Sequence, residues 1–215
     1  MSLGMTCLRN VAMVMLALGL SVGCAQKSGY KTAEVASKRL GDTKSEVVSA
    51  KTQISDTVAA LNSLVNNPQM DLRPQFQKFS KSLDALQSRA QKARDRAVDM
   101  RAKRSEYVKR WQTETDAIQN EELRTRALQR MGESEAAFES LSAKLTAVRE
   151  ASTPFLADLE DLRRYLGTDL TKAGVASVTD LVNKIREEEK PLQSSLDALI
   201  NELDRVGTDL SPTAK

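Results

Sequence analysis

The sequence predicts an all-α protein: an elongated antiparallel bundle of about four helices with coiled-coil-like heptad packing, the middle two longest. Three observations carry this. Apolar residues recur at alternate spacings of four and three over most of the chain, the 3.5-residue period of helices that press on partners along their length. Nine Gly and five Pro in 215 residues are roughly half the usual share of about 12%, too little turn-forming material for a many-stranded sandwich or barrel. Aromatic residues make up 4% and charged residues 28%, a composition that favours solvent-washed helices. Length sets the expectation at one domain or two.

The chain opens on an export signal, expected over residues 1–23. Arg9 is the one charge before the uncharged run VAMVMLALGL at 11–20, and ten apolar residues fall short of the about twenty that cross a bilayer. A positive start, a short apolar run and small residues before a cut describe a cleaved signal. The segment ending in Ser21, Val22, Gly23 and Cys24 resembles the lipobox of bacterial lipoproteins, with Ser21 where Leu is commoner. The resemblance implies cleavage before Cys24 and acylation of its thiol and new amino group. More than one acyl chain gives stable anchoring. A redox thiol is the alternative reading of Cys24, but Cys7 lies inside the signal, so the mature chain has one cysteine and no internal disulfide. By resemblance to lipoprotein sorting, Ala25 in place of Asp directs the protein to the periplasmic face of the outer membrane. Residues 24–32 then form a lipidated tether, 33–207 a single helical-bundle domain and 208–215 a flexible tail.

The first helix carries its seam on Ala33, Ala36, Leu40, Thr43, Val47, Ala50, Ile54, Thr57, Leu61 and Leu64, and Asn67-Pro68 ends it. The second runs Leu72, Phe76, Phe79, Leu83, Leu86, Ala90, Ala93, Ala97, Met100, Arg104, Tyr107, Trp111, Glu114 and Ile118, about 70 Å at helical rise, with Asp71 as N-cap and Pro74 inside the first turn. After a turn near Asn120 the third follows Ala127, Met131, Ser134, Phe138, Leu141, Leu145, Val148, Ser152, Phe155, Leu159, Leu162 and Leu166, with Gly167 as the residue that stops it. The fourth, Val178, Leu181, Ile185, Glu188, Leu192, Leu196, Leu199, Leu203 and Val206, contains a one-residue slip after Pro191. Short connections make neighbours antiparallel.

Antiparallel pairing about Asn120 requires facing residue numbers to add to about 239. Arg104 then meets Glu135, Glu114 meets Arg124 or Arg126, and Tyr107 meets Gly132. Such charged pairs on a seam disfavour slipped alignments even where their net stability is small. About Thr168 the sum is about 344, which brings Leu145 to Leu199 and Pro154 to the level of Pro191, a shared bend or a hinge. The second and third helices outrun the others, so their hairpin tip projects at the end nearest Cys24. Tyr107, Arg110, Trp111 and Ile118 are candidate tip contacts. Between Lys92 and Arg110 stand eight basic and three acidic residues, a cluster suited to anionic head groups beside a membrane, set against neutralisation by Glu133, Glu135 and Glu139. The aromatics also read as core fillers.

Several chemistries are excluded by what the sequence lacks, and a hydrolase or transferase stays open only through a carboxylate pair brought together in space. With no His there is no His-dependent triad, zincin motif or Glu-x-x-His di-iron ligand, and no Gly-rich phosphate loop exists. Glu187, Glu188 and Glu189 suit a hard cation, yet without a ligand-bearing loop they read as a solvated helix face. The expectation is no metal, no cofactor beyond covalent lipid on Cys24, no catalytic residue and, at a formal charge of +3, no nucleic acid.

The stretch YVKRWQTETDAIQNEELRTR, Tyr107 to Arg126, set between a heptad helix and a helical tail after a lipobox, resembles the bacterial proteins of domain-of-unknown-function family 2959. The residues that carry it are Trp111, Glu114, Asn120, Leu123 and Arg124. The first helix departs from the pattern, being more polar and interrupted by Gly41. The resemblance implies export and helical architecture and no mechanism. The expected role is a non-catalytic, lipid-anchored scaffold, spacer or adaptor in the cell envelope, touching the membrane through its anchor and meeting an envelope protein or a second copy. The alternative is a module that binds lipid or peptidoglycan through the hairpin tip.

Overall fold

The computed structural model describes residues 29–211; the expected export signal, Cys24 and the last four residues lie outside that range. Four long helices, α1 (Gly29–Asn66), α2 (Arg73–Asp116), α3 (Glu121–Thr168) and α5 (Thr179–Leu210), are joined by short loops and one short helix, α4 (Lys172–Ser177). Among the described residues there is no strand. The helical domain begins four residues earlier and ends three later than the heptads suggest, and α1 passes through Gly41 unbroken because that position faces open space.

Each helix exists because its seam is buried. On α1 every seam position from Ala36 to Leu64 is buried, including Thr43 and Thr57, whose hydroxyls donate to the carbonyls of Arg39 at 2.8 Å and Gln53 at 2.7 Å. Packing runs in a ring: α1 lies against both α2 and α5, α5 lies against α3, and α2 and α3 close the ring through the loosest seam. Arg39–Asp99 at 3.2 Å and Gln53–Ser82 at 2.9 Å fix the antiparallel register of α1 and α2. Lys44–Asp204 at 2.6 Å and Ser55–Glu189 at 2.8 Å do so for α1 and α5. Lys184–Asp158 at 3.3 Å ties α5 to α3 close to the expected alignment.

Four local expectations are corrected. The seam of α5 has no slip: Val182, fully buried, takes the core position rather than half-buried Leu181. Val178, Val182, Ile185, Glu189 and Leu192 then keep the four-three alternation, with the Glu189 carboxylate accepting from Ser55 and Gln193. Gly167 does not stop α3 but lies inside its last turn, where Phe76 Cζ comes within 3.5 Å of where a Cβ would be; Asp169 is the C-cap. Asp71 caps from one place earlier than expected, its Oδ1 accepting from Arg73 N at 3.1 Å while Leu72 is the N-cap residue. Besides these three corrections, the α3–α5 connection holds an added helix, α4, which starts where the Thr171 hydroxyl accepts from Gly174 N at 3.0 Å.

The fourth correction is the α2–α3 register. Arg104 reaches Glu139 at 3.3 Å and lies 5.1 Å from the Phe138 ring centroid, one helical turn from Glu135. Glu114 instead pairs with Arg110 on its own helix at 3.3 Å, Arg126 pairs with Glu122 at 2.6 Å, and Gly132 is exposed with nothing beside it. The cause lies in the turn. Asn120 is extended (ψ 115°), and its side chain accepts from Leu123 N at 3.0 Å, so the chain runs on past α2 before α3 begins. Residues 121–130 of α3, exposed save for half-buried Ala127, therefore overhang, and every facing pair moves by about a turn.

Candidate functional site

Of the expected tip residues, the structure brings three together. Tyr107 is buried and Trp111 half-buried, with ring centroids 5.3 Å apart and planes tilted by 49°. Around them lie the first turn of α1 (Gly29, Tyr30, Ala33), α3 at Ser134 and Ala137, and the end of α5 at Val206 and Leu210. The pair is a plug that closes this end of the bundle. Burial pushes the Tyr107 hydroxyl up to about 12, with Arg130 pulling slightly the other way. Arg110 joins the plug through Glu114, and its Nε is buried without a hydrogen-bond partner, as is the hydroxyl of nearby Thr115. Ile118 is half-buried in the turn and Arg124 exposed on the overhang, both apart from the aromatic pair.

The basic stretch is less neutralised than the facing glutamates suggested. Lys103 pairs with Glu106 at 2.9 Å, Arg104 with Glu139 and Arg110 with Glu114. Glu133 is taken by Arg130 at 2.5 Å. Among the described residues Lys92, Arg94, Arg96, Arg101 and Lys109 make no ion pair.

Two of these cations line a feature that the sequence reading did not single out. The seam residues of α2 shrink from Leu83 and Leu86 to Ala90, Ala93 and Ala97, and opposite them Leu145, Val148 and Ser152 of α3 stay half-buried. Short side chains cannot span the gap between two helices whose partner contacts lie elsewhere, so the α2–α3 seam opens into a slot of about 280 Å³. Its floor is the bundle core, with Val47 and Ile54 of α1 and Leu192, Leu196 and Leu199 of α5. Its lips carry Arg94 and Arg101 on α2, Arg149 on α3, and Val98, which is 63% exposed. Arg94 and Arg149 stand at one level, since the pairs Arg104–Glu139 above and Arg163–Asp84 below bracket them. A second cavity of about 440 Å³ continues the slot toward the tip, sharing Arg101 and Leu145 and adding Met100, Val108, Lys109 and Phe138. No Asp or Glu lines either space. The signal legible in sequence was the run of three alanines on a seam otherwise filled by large residues.

The acidic run on α5 is dispersed. Glu187 is held by Lys190 at 2.8 Å, Glu188 by Lys184 at 3.2 Å, and Glu189 by Ser55. Among the described residues no group of three or more acidic or sulfur-bearing side chains is arranged to hold a metal ion, and no helix is long and apolar enough to cross a membrane.

The family model described as "Protein of unknown function (DUF2959)" matches residues 23–209. The chain belongs to the DUF2959 family. The match runs from the residue before Cys24 through nearly all of α5, so the tip plug, the slot and all four long helices fall inside the family unit. No curated protein and no solved structure matches the chain.

Proposed function

We propose that this DUF2959 protein is a non-catalytic, lipid-anchored helical scaffold of the bacterial cell envelope, held at the periplasmic face of the outer membrane through Cys24. The observation that carries the reading is the position of the lipobox cysteine, five residues before Gly29, where α1 begins. Five residues reach at most about 18 Å, so an acylated Cys24 keeps the tip end of the bundle close to a bilayer. α1 alone, 38 residues long, then carries the far end about 57 Å away. There Met70, in the α1–α2 loop, is 97% exposed and suits contact with an envelope protein. Burial of the Tyr107–Trp111 pair favours the scaffold over a tip that grips a ligand.

The test is metabolic labelling with a palmitate analogue and fractionation of cells. The expected result is label on the intact protein and its recovery with outer-membrane fractions, both lost in Cys24→Ala. Unchanged membrane retention of the unlabelled variant refutes the anchor.

A further inference from the structure

We propose that the slot between α2 and α3 is a binding site for one long-chain fatty acid, with the acyl chain in the slot and the carboxylate between Arg94 and Arg149. This goes beyond the scaffold reading and does not depend on the anchor.

The shape of the slot selects the chain. Ligand sites are mostly apolar clefts with a few placed polar groups, about 300–1,000 Å³ in volume; the slot of about 280 Å³ and its continuation of about 440 Å³ together fall in that range. From Arg94 to Val108 the lip of α2 rises about 21 Å. One acyl chain spans half of a hydrocarbon core about 30 Å thick, about 15 Å, so it fits lengthwise from the arginine level past Leu145 to Phe138. A helix about 10 Å across needs roughly 400 Å³ for each turn, so the slot and its continuation together have room for fewer than two turns, and an amphipathic helix is confined to lying across the mouth. The slot is floored by α1 and α5, and whether it admits the two chains of a phospholipid is read by the vesicle competition below.

The charge selects the head group. Arg94, Arg101 and Arg149 make no ion pair among the described residues, and no carboxylate lines the slot. Like charges held at one rim repel, and an anion set between them relieves that repulsion while gaining charge-assisted hydrogen bonds. Arg94 and Arg149 put a guanidinium on each lip, and a guanidinium fork matches a carboxylate in geometry. Exposed Val98 beside the slot and the alanines beneath it leave apolar surface in water that an acyl chain covers.

The experiment uses the full chain in isolated envelope membranes, incubated with a diazirine-bearing palmitic acid, irradiated and mapped by peptide mass spectrometry. The expected result is adducts confined to residues 93–109 of α2 and 138–149 of α3, removed by excess palmitate. Methyl palmitate, which has no carboxylate, should compete at least about tenfold less well. Ala93→Leu fills the slot and should cut labelling about tenfold, with the thermal midpoint of protease resistance unchanged or raised. Should that variant fail to fold, the surface variant Arg94→Glu with Arg149→Glu carries the test: labelling should fall about tenfold with resistance intact. Labelling should persist in Cys24→Ala, assayed as the purified chain in solution rather than in membranes, which separates the slot from the anchor. The proposal is overturned by an absence of adducts, by adducts spread over all exposed helices, by equal competition from methyl palmitate or phosphatidylglycerol vesicles, or by full labelling of a folded slot variant.

Discussion

Gln75 is the residue whose loss tests most directly how the bundle is held at its far end. It is buried on the first turn of α2 and uses both ends of its amide to hold the loop arriving from α1. Nε2 donates to the carbonyls of Ser63 at 2.8 Å and Asn67 at 3.0 Å and to the Ser63 hydroxyl at 3.1 Å, while Oε1 accepts from Gln69 N at 2.9 Å. Gln75→Leu removes all four. Each hydrogen bond contributes a net of about 0.5–1.5 kcal/mol, and the loop lies at the surface where water replaces part of the loss. Leu in turn gains about 1 kcal/mol from its own burial. The expected destabilisation is about 2–3 kcal/mol, which for a domain of this size is a fall in Tm of roughly 5–10 °C. Denaturant unfolding followed by circular dichroism measures it, with an unchanged m-value showing that the transition is otherwise the same. Gln75→Glu sharpens the test. It keeps the acceptor for Gln69 but sets an anionic oxygen against two carbonyls, so the neutral acid is the form the fold favours. Its carboxyl is therefore raised above the ordinary value of about 4.3, and its stability should recover as pH falls and decline as pH rises through the raised value. A loss below about 0.5 kcal/mol in Gln75→Leu, or a Gln75→Glu variant indifferent to pH, refutes the clamp.

Two further outcomes follow from the register and the plug. A double-mutant cycle on Arg104 and Glu139 should give a coupling of about 0.2–1 kcal/mol, since Glu139 is 72% exposed, whereas a cycle on Arg104 and Glu135 should give none; coupling to Glu135 would restore the tighter turn. Tyr107 should ionise at about 12, so its difference absorbance against Tyr107→Phe should appear only above the ordinary range for tyrosine. Because the fold favours the neutral phenol, its contribution to stability is complete below about pH 10 and is lost between about pH 10 and 12. Alkaline melts of the wild type should therefore fall more steeply than those of Tyr107→Phe.

The heptads and the short connections between them were enough to specify the number, order and direction of the long helices, because burial of a 3.5-residue stripe is a property of each segment alone. Ala36 to Leu64 needed no knowledge of what covered them. Register between helices was legible at one connection and not at the other, and the length of the connection did not decide which. About the α3–α5 connection the expected alignment holds closely, whereas at Asn120 a single extended residue carries the chain onward and moves Arg104 from Glu135 to Glu139. The frame of α5 failed for a related reason. Leu181 and Val182 are equally apolar, and only contact with α1 and α3 decides that Val182 is the one covered. α4 was invisible because its cause is a close approach: a Cβ on Gly174 would sit 2.4 Å from the carbonyl oxygen of Asp169, a constraint without periodicity. Cys24, on which the proposed anchor depends, lies outside the described residues.

The slot shows what a repeating pattern conceals. Ala90, Ala93 and Ala97 satisfy the heptad as well as leucine would, so the period is unbroken while the volume is not. In a bundle selected for stability alone these positions are where larger side chains add most, since each buried methylene contributes about 0.8 kcal/mol. Here the chain leaves Leu145, Val148 and Ser152 half-covered and sets Arg94, Arg101 and Arg149 around the opening with no acid to answer them. The remaining seams behave differently: α1–α2, α1–α5 and α3–α5 are each bridged by a cross-helix ion pair. α2–α3 has such pairs above and below the slot, at Glu139 and Asp84, and none along it. Register is thus fixed at both ends of a stretch that neither packs nor pairs, and this is the mechanical requirement for a preformed cleft: rigid lips held at a set distance by contacts outside the cleft itself. Ala93→Leu is accordingly the decisive variant. A side chain that raises stability while excluding the fatty acid would show that the gap is kept for what enters it.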